Sequence, residues 1–510
     1  MVRNMFSRAL AFLVIFFSFA LFACGAQRNL ELGEETWYQV DSANFRIITN
    51  GDPEAVKILA SDLERYRAVA LTLMPGSKAG QKLTIYAAAD RQTYGSLVGA
   101  ELGELTNGLY DTTAQGSYAL VNLDGRSGER QLAAREFLFH EYTHFLSYNR
   151  TTIHYPYWYS EGFAEFMSTM DFPAKGHYEI GGIPEERAMT LLYTEPLPLE
   201  QLLRATVQNI PDEEKSRVYA SGWMLAHWVI MESGKAEEFK EYVKAYNNGA
   251  DPVESLERAL GMTLAEIDRE YKRLFQEGKF DLASGVVPTD FREVNPRVHR
   301  LLPQRAMAEV GRFLVLSGYN LGELYSLVQY ARAKNIASPE LTAVQAEAEI
   351  RLGNFDRAER LLATIPVSER NKFWYQSADA WLGVNREMFK PGPARDRQRL
   401  EKARDKFKFL VNNESDNASH WYGLAMAMEM LDYPREKYTQ MLEQAYLRAP
   451  RQVEISQWLA MELYEQKDAE YFAQVAQPLL LELTNEDEYQ QMKMMLAELK
   501  PKAGAKKAVQ

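Results

Sequence analysis

His140-Glu141-Tyr142-Thr143-His144 places two imidazoles four residues apart with a carboxylate between them. Residues four apart on a helix share a face, so both rings can reach one metal ion at ~2.0–2.1 Å. Glu141 sits one position round from His140, off the ligand line, where it can contact the ion's water. Seven histidines in 510 residues is sparse, so two at this spacing carry information. Leu132, Phe137, Leu138, Phe145 and Leu146 give the motif the apolar flanks of a helix.

A catalytic metal needs a third protein ligand and an open position. One arrangement uses a histidine six residues after the second, but Arg150 stands there, and His154 is off that spacing and reads as a loop or packing histidine. Two acids follow in the stretch Trp158-Tyr159-Ser160-Glu161-Gly162-Phe163-Ala164-Glu165. Taken singly, Glu161 and Glu165 read as the solvated face of a helix. Taken together, two glutamates and two histidines at these spacings on consecutive helices do not read as a solvated face, and they point to zinc binding.

These two segments together resemble the gluzincin zinc metallopeptidases, which include aminopeptidase-type enzymes and bacterial peptidase-MA-like families. The resemblance spans roughly residues 37–280, and His140-Glu141-x-x-His144 with Glu161-Gly162-x-Ala164-Glu165 carries it. It implies zinc (Zn2+) held by His140, His144 and Glu161, with Glu141 as general base for hydrolysis of a peptide bond. It also implies that Glu165, one helical turn after Glu161, hydrogen-bonds a ligating histidine, a contact that fixes the ring. A downstream tyrosine in aminopeptidase-type relatives stabilises the oxyanion, and Tyr219 stands in that position. His227 is a rival donor, and reads equally as a core histidine on an apolar helix. Residues 106–123 are expected to supply a strand edge on which an extended peptide substrate can be added.

The surrounding elements must position these residues. Trp37 to Ile48 reads as two strands, Asp52 as the cap of a helix over 54–73, and Leu83–Tyr86 and Ser117–Leu123 as strands. The expectation is an α+β gluzincin-like peptidase domain over 36–283, with its two central helices at 131–148 and 157–170. Gly and Pro in 284–299 suggest a linker. Residues 300–499 read as an all-α helical repeat domain. There Ala346, Gly353, Phe355, Ala358, Leu362 and Pro366 resemble the spacing of a tetratricopeptide repeat, with weaker echoes at Trp421, Gly423, Tyr438, Ala445 and Pro450. An ordinary helical bundle is the other reading. Residues 500–510 read as a flexible tail.

The formal net charge of -12 argues against nucleic acid as a partner, because phosphate binding runs on surplus Lys and Arg. Arg3 and Arg8, an apolar run from Ala9 to Ala23 and the single cysteine Cys24 read as an export signal over 1–23. Leu21-Phe22-Ala23-Cys24 resembles the bacterial lipobox, which implies lipidation of Cys24, a tether over 24–35 and an extracytoplasmic, membrane-anchored protein. A plain signal peptide is the alternative. Gly25, where aspartate is associated with inner-membrane retention, favours the outer membrane if there is one. With no second cysteine the mature chain forms no internal disulfide. Two functions compete: a lipid-anchored metallopeptidase whose repeats bind substrate or a protein partner, and a non-catalytic scaffold or assembly lipoprotein with a structural or vestigial zinc site.

Overall fold

Alternation of apolar residues builds the N-terminal strands. In the computed structural model, residues 32–74, 82–124, 130–148, 151–207 and 209–499 are described. The expected export signal over 1–23, Cys24 with most of the expected tether, and the expected tail over 500–510 lie outside the described residues. β1 (Tyr38–Asp41) and β2 (Phe45–Thr49) are followed by α1 (Pro53–Leu73), β3 (Leu83–Ala88), α2 (Arg91–Val98), α3 (Ala100–Leu105), β4 (Gly108–Thr113) and β5 (Gly116–Asn122). Asp52 caps α1, accepting the Glu54 N–H, with Pro53 in the first turn. Next come α4 (Arg130–Tyr148), α5 (Tyr157–Ser168), β6 (His177–Ile180), α6 (Glu185–Tyr193), α7 (Leu199–Leu203) and α8 (Asp212–His227). Then follow α9 (Ala236–Asn247), α10 (Pro252–Leu260), α11 (Leu264–Glu277), β7 (Ala283–Val286) and β8 (Arg297–Arg300).

The main sheet has six strands in the order β4-β5-β3-β2-β1-β8. The helical crossovers make β2, β3 and β5 parallel, while β4, β1 and β8 pair antiparallel at its two sides. Residues 284–299 are therefore not the linker that their Gly and Pro suggest: β7 pairs with β6, and β8 extends the sheet beside β1. Gly285 permits the first pairing, because a Cβ there would meet the Tyr178 ring at 2.5 Å. Strand alternation splits the core in two. Phe45, Ile47, Leu83, Ile85, Ala87, Ala119 and Val121 face α1, α4 and the helices behind them. Ile48, Tyr86, Ala88, Tyr118 and Leu120 face the opposite way.

After Pro303 the described chain is helical apart from short connections: α12 (Pro303–Ser317), α13 (Leu321–Ala333), α14 (Pro339–Arg351), α15 (Phe355–Thr364) and α16 (Phe373–Met388). They continue as α17 (Arg397–Asn413), α18 (Ala418–Met430), α19 (Arg435–Tyr446), α20 (Val453–Glu465), α21 (Ala469–Leu479) and α22 (Glu486–Glu498). The chain is thus a mixed α/β structure with an N-terminal sheet and a mostly helical C-terminal region. The first of these helices cover the second sheet face, Phe313 packing against Tyr86 and Tyr118 at 4.7 and 5.5 Å between rings. The later helices pack on successive smaller cores. The far end of the row returns to the sheet edge: the Ser419 N–H donates to the Ala114 carbonyl at 2.8 Å, and Gln452 Nε2 donates to the Thr112 carbonyl at 2.8 Å. Among the described residues no helix is long and apolar enough to cross a membrane.

One contact sets the geometry of the helices behind α4. α5 and α8 cross with their backbones touching, since a Cβ on Gly162 would lie 2.2 Å from the Gly222 carbonyl group, and one on Gly222 would lie 2.5 Å from the Trp158 carbonyl oxygen. Backbone cannot give way as a flexible side chain can. Gly162→Ala is therefore expected to destabilise the fold by ~1–3 kcal/mol or more through overpacking, read as a lower denaturation midpoint in urea. A midpoint equal to that of the unaltered chain would show that the helices separate freely.

Candidate metal centre

α4 carries His140 and His144 on one face, one turn apart, and α5 crosses it with Glu161 and Glu165 turned towards that face. His140 Nε2 and His144 Nε2 are 3.1 Å apart, and Glu161 Oε2 lies 3.3 Å from the first and 3.4 Å from the second. The ligands of a tetrahedral ion at ~2.0–2.1 Å stand roughly 3.3–3.4 Å from one another. The triangle has the size such an ion requires, and His140, His144 and Glu161 are the cluster among the described residues that could hold a metal.

The other ring nitrogens point away to partners of their own. His140 Nδ1 lies 3.4 Å from Glu165 Oε1, and His144 Nδ1 lies 3.4 Å from Ser160 Oγ. A proton held at Nδ1 leaves the Nε2 lone pair for an ion. Ser160 is also bonded to the Tyr148 hydroxyl, and the Tyr148 ring stacks on His144 at 5.7 Å and 2°. Arg187, from α6, fixes Glu165 with Nε 3.0 Å from Oε1, and its guanidinium lies 5.3 Å from the centroid of the Tyr219 ring. One cation thus braces both the acid behind His140 and the tyrosine beside it.

The charges are crowded. Burial works against a charged His140 ring, yet Glu161, Glu165 and Glu141 together raise its pKa to about 9. Burial opposes ionisation of Glu161, but the charges of His144 and His140 and their hydrogen bonds hold its carboxyl well below the usual range. Burial pushes Glu141 up while the two histidines pull it down. Three donors this close, with acidic neighbours, form a site that a cation could occupy.

Tyr219 reaches the site from α8. Its ring centroid is 6.4 Å from that of His140, and its hydroxyl is 3.5 Å from the Tyr157 hydroxyl. Burial, then the charge of Glu161, push its hydroxyl far above the ordinary phenol range, so it stays a hydrogen-bond donor. His227 is elsewhere: fully buried among Phe166, Trp223 and Phe280, with Nε2 3.1 Å from the Gly181 carbonyl and 3.2 Å from that of Asp281. It is a core histidine. His154 packs against the C-terminal helices, its Nε2 2.7 Å from Glu482 Oε1.

Sequence reading missed Arg187, Tyr157, Tyr148 and Ser160. Tyr157 and Ser160 lie within the same short helix as Glu161, and Tyr148 is one turn beyond His144, so helical spacing was an available signal for these three. Nothing in the sequence signals Arg187, which reaches the site across an intervening sheet strand and loop. No known protein family, curated protein or solved structure matches the chain.

Loss of the carboxylate behind His140 leaves the ring free to turn. Glu165→Ala is expected to weaken metal affinity by roughly 10–100-fold, with Arg187→Ala acting in the same direction, measured by competition with a chelating dye. Affinity unchanged in Glu165→Ala would reduce Glu165 to a structural acid.

Proposed function

We propose that this chain is a zinc metallopeptidase of gluzincin type, with tetratricopeptide-like helices after the peptidase unit and an extracytoplasmic lipid anchor at Cys24. The observation that carries the reading is the convergence of His140 Nε2, His144 Nε2 and Glu161 Oε2 at tetrahedral spacing, beside a carboxylate that is not part of the triangle. Zinc supports the chemistry by polarising a water and the scissile carbonyl. Imidazole and carboxylate donors in this number suit that ion.

The residues divide the remaining work. Glu141, partly buried and with its pKa raised, is suited to take a proton from water and return it to the leaving amine. Tyr219 donates to the oxyanion as the tetrahedral state forms. Glu165 and Arg187 hold His140 in register. The scaffold reading is less well supported. A structural zinc fills its four positions with protein ligands, and three ligating side chains converge here among the described residues.

Purified chain is expected to carry about one zinc, lost in His144→Ala and on chelation. Glu141→Gln is expected to keep the zinc and lose hydrolysis of unfolded protein, since an amide cannot accept the proton. Retention of near-normal turnover by Glu141→Gln, with zinc bound, would rule the mechanism out. Tyr219→Phe is expected to lower kcat by ~10²–10³ with little change in KM. A change confined to KM would make Tyr219 a binding residue instead.

A further inference from the structure

We infer that the C-terminal helices wall off one end of the β4 edge, so that the cleft takes the end of an extended peptide and hydrolysis removes residues from a chain terminus. This rests on the peptidase reading above and adds its substrate class.

β4 is an edge strand of the sheet. The Asn122 N–H donates to the Asn107 carbonyl, which sets the phase of the hairpin: alternate residues bond to β5, and Gly108, Tyr110 and Thr112 turn their backbone groups outward. A peptide strand added to this edge would use those groups. Those of Thr112 are already occupied. Its N–H donates to Asp111 Oδ1 at 2.7 Å, and its carbonyl accepts from Gln452 Nε2 at 2.8 Å. Beyond Thr112 the hairpin tip is covered, Ala114 packing into the core of α18–α22 with its carbonyl bonded to Ser419. Among the described residues the outward groups of Gly108 and Tyr110 meet no hydrogen-bond partner, so they are left for a substrate.

The metal centre lies close to the walled end. Gly108 packs on Phe137, where a Cβ would meet the ring at 2.1 Å. Further along, Glu141 is near enough to Tyr110 that its charge, after burial, helps push the Tyr110 hydroxyl up to about 12. At the end of α4 the Arg451 guanidinium lies 4.0 Å from the Tyr148 ring centroid, paired with Glu482, which also holds His154. So α4 and β4 run side by side towards the same wall, made of Arg451 and Gln452. A strand advances ~3.3 Å per residue, which leaves space for about two residues between Tyr110 and that wall. The rest of the chain would extend past Gly108.

The test uses the zinc-loaded full chain and a long unstructured peptide, with products identified by mass spectrometry. A ladder of products shortened from one end supports the inference, whichever end it is. Pairs of long complementary internal fragments would overturn it and leave the peptidase reading standing. A second measurement does not need turnover. Glu141→Gln with zinc bound is titrated with the linear peptide and with the same peptide closed head to tail. The closed form, which has no end to enter the cleft, is expected to bind about tenfold more weakly, as two outward hydrogen bonds are lost. Equal binding of the two forms would overturn the inference. Failure of the zinc-loaded chain to hydrolyse any peptide, with Glu141→Gln still favouring the linear form, would instead count against the peptidase reading.

Discussion

α5 and α8 touch through their backbones at Gly162 and Gly222, and that contact sets how closely Tyr219 approaches the candidate metal centre. α5 delivers Glu161 and Glu165 to α4. α8 delivers Tyr219 to the same place only because it can lie against α5 with no side chain between them. Two glycines inside helices cost ~0.5–1 kcal/mol each relative to alanine. Trp158 and Trp223, fully buried beside the crossing, each return more than that from the apolar surface they remove from water. The close approach is stable because large aromatic residues surround two of the smallest ones.

The same approach concentrates charge. Glu141, Glu161 and Glu165 converge on two imidazoles, with Arg187 directed at Glu165. Like charges ~4 Å apart repel by about 4 kcal/mol even at an effective dielectric of 20, so such a cluster is not tolerated without compensation. A proton on His140 supplies part of it. A dication at the centre of the donor triangle would supply more, since the Nδ1 atoms are already turned to other partners. The cluster between α4 and α5 is thus one whose electrostatics favour a cation.

Much of the site was legible in the sequence because its residues lie on two helices close in the chain, where helical period relates spacing to direction. His140, His144, Glu161 and Glu165 are of this kind, and Asp52 and the strand alternation were legible for similar local reasons. What local pattern could not reveal is where distant segments meet. Arg187 reaches Glu165 from a separate helix, and the role of Gly222 depends on a partner sixty residues earlier. The stretch 284–299 misled for a related reason. Gly and Pro weaken a strand locally, but β6 and β1 offered open edges, and pairing outweighed propensity.

The helical C-terminal row is held at its two ends by different forces. At the near end Phe313 and its neighbours bury a continuous apolar surface against Tyr86, Tyr118 and Leu120, a contact that cannot open without exposing core. At the far end the attachment is mainly polar: Ser419 to Ala114, Gln452 to Thr112, and Glu482 between His154 and Arg451. Hydrogen bonds contribute ~0.5–1.5 kcal/mol each, and the ion pairs at this end are largely buried. At this end Arg451 covers Tyr148, and Tyr148 stacks on His144. The polar joint between the two regions is thus in contact with one of the histidines that could hold a metal.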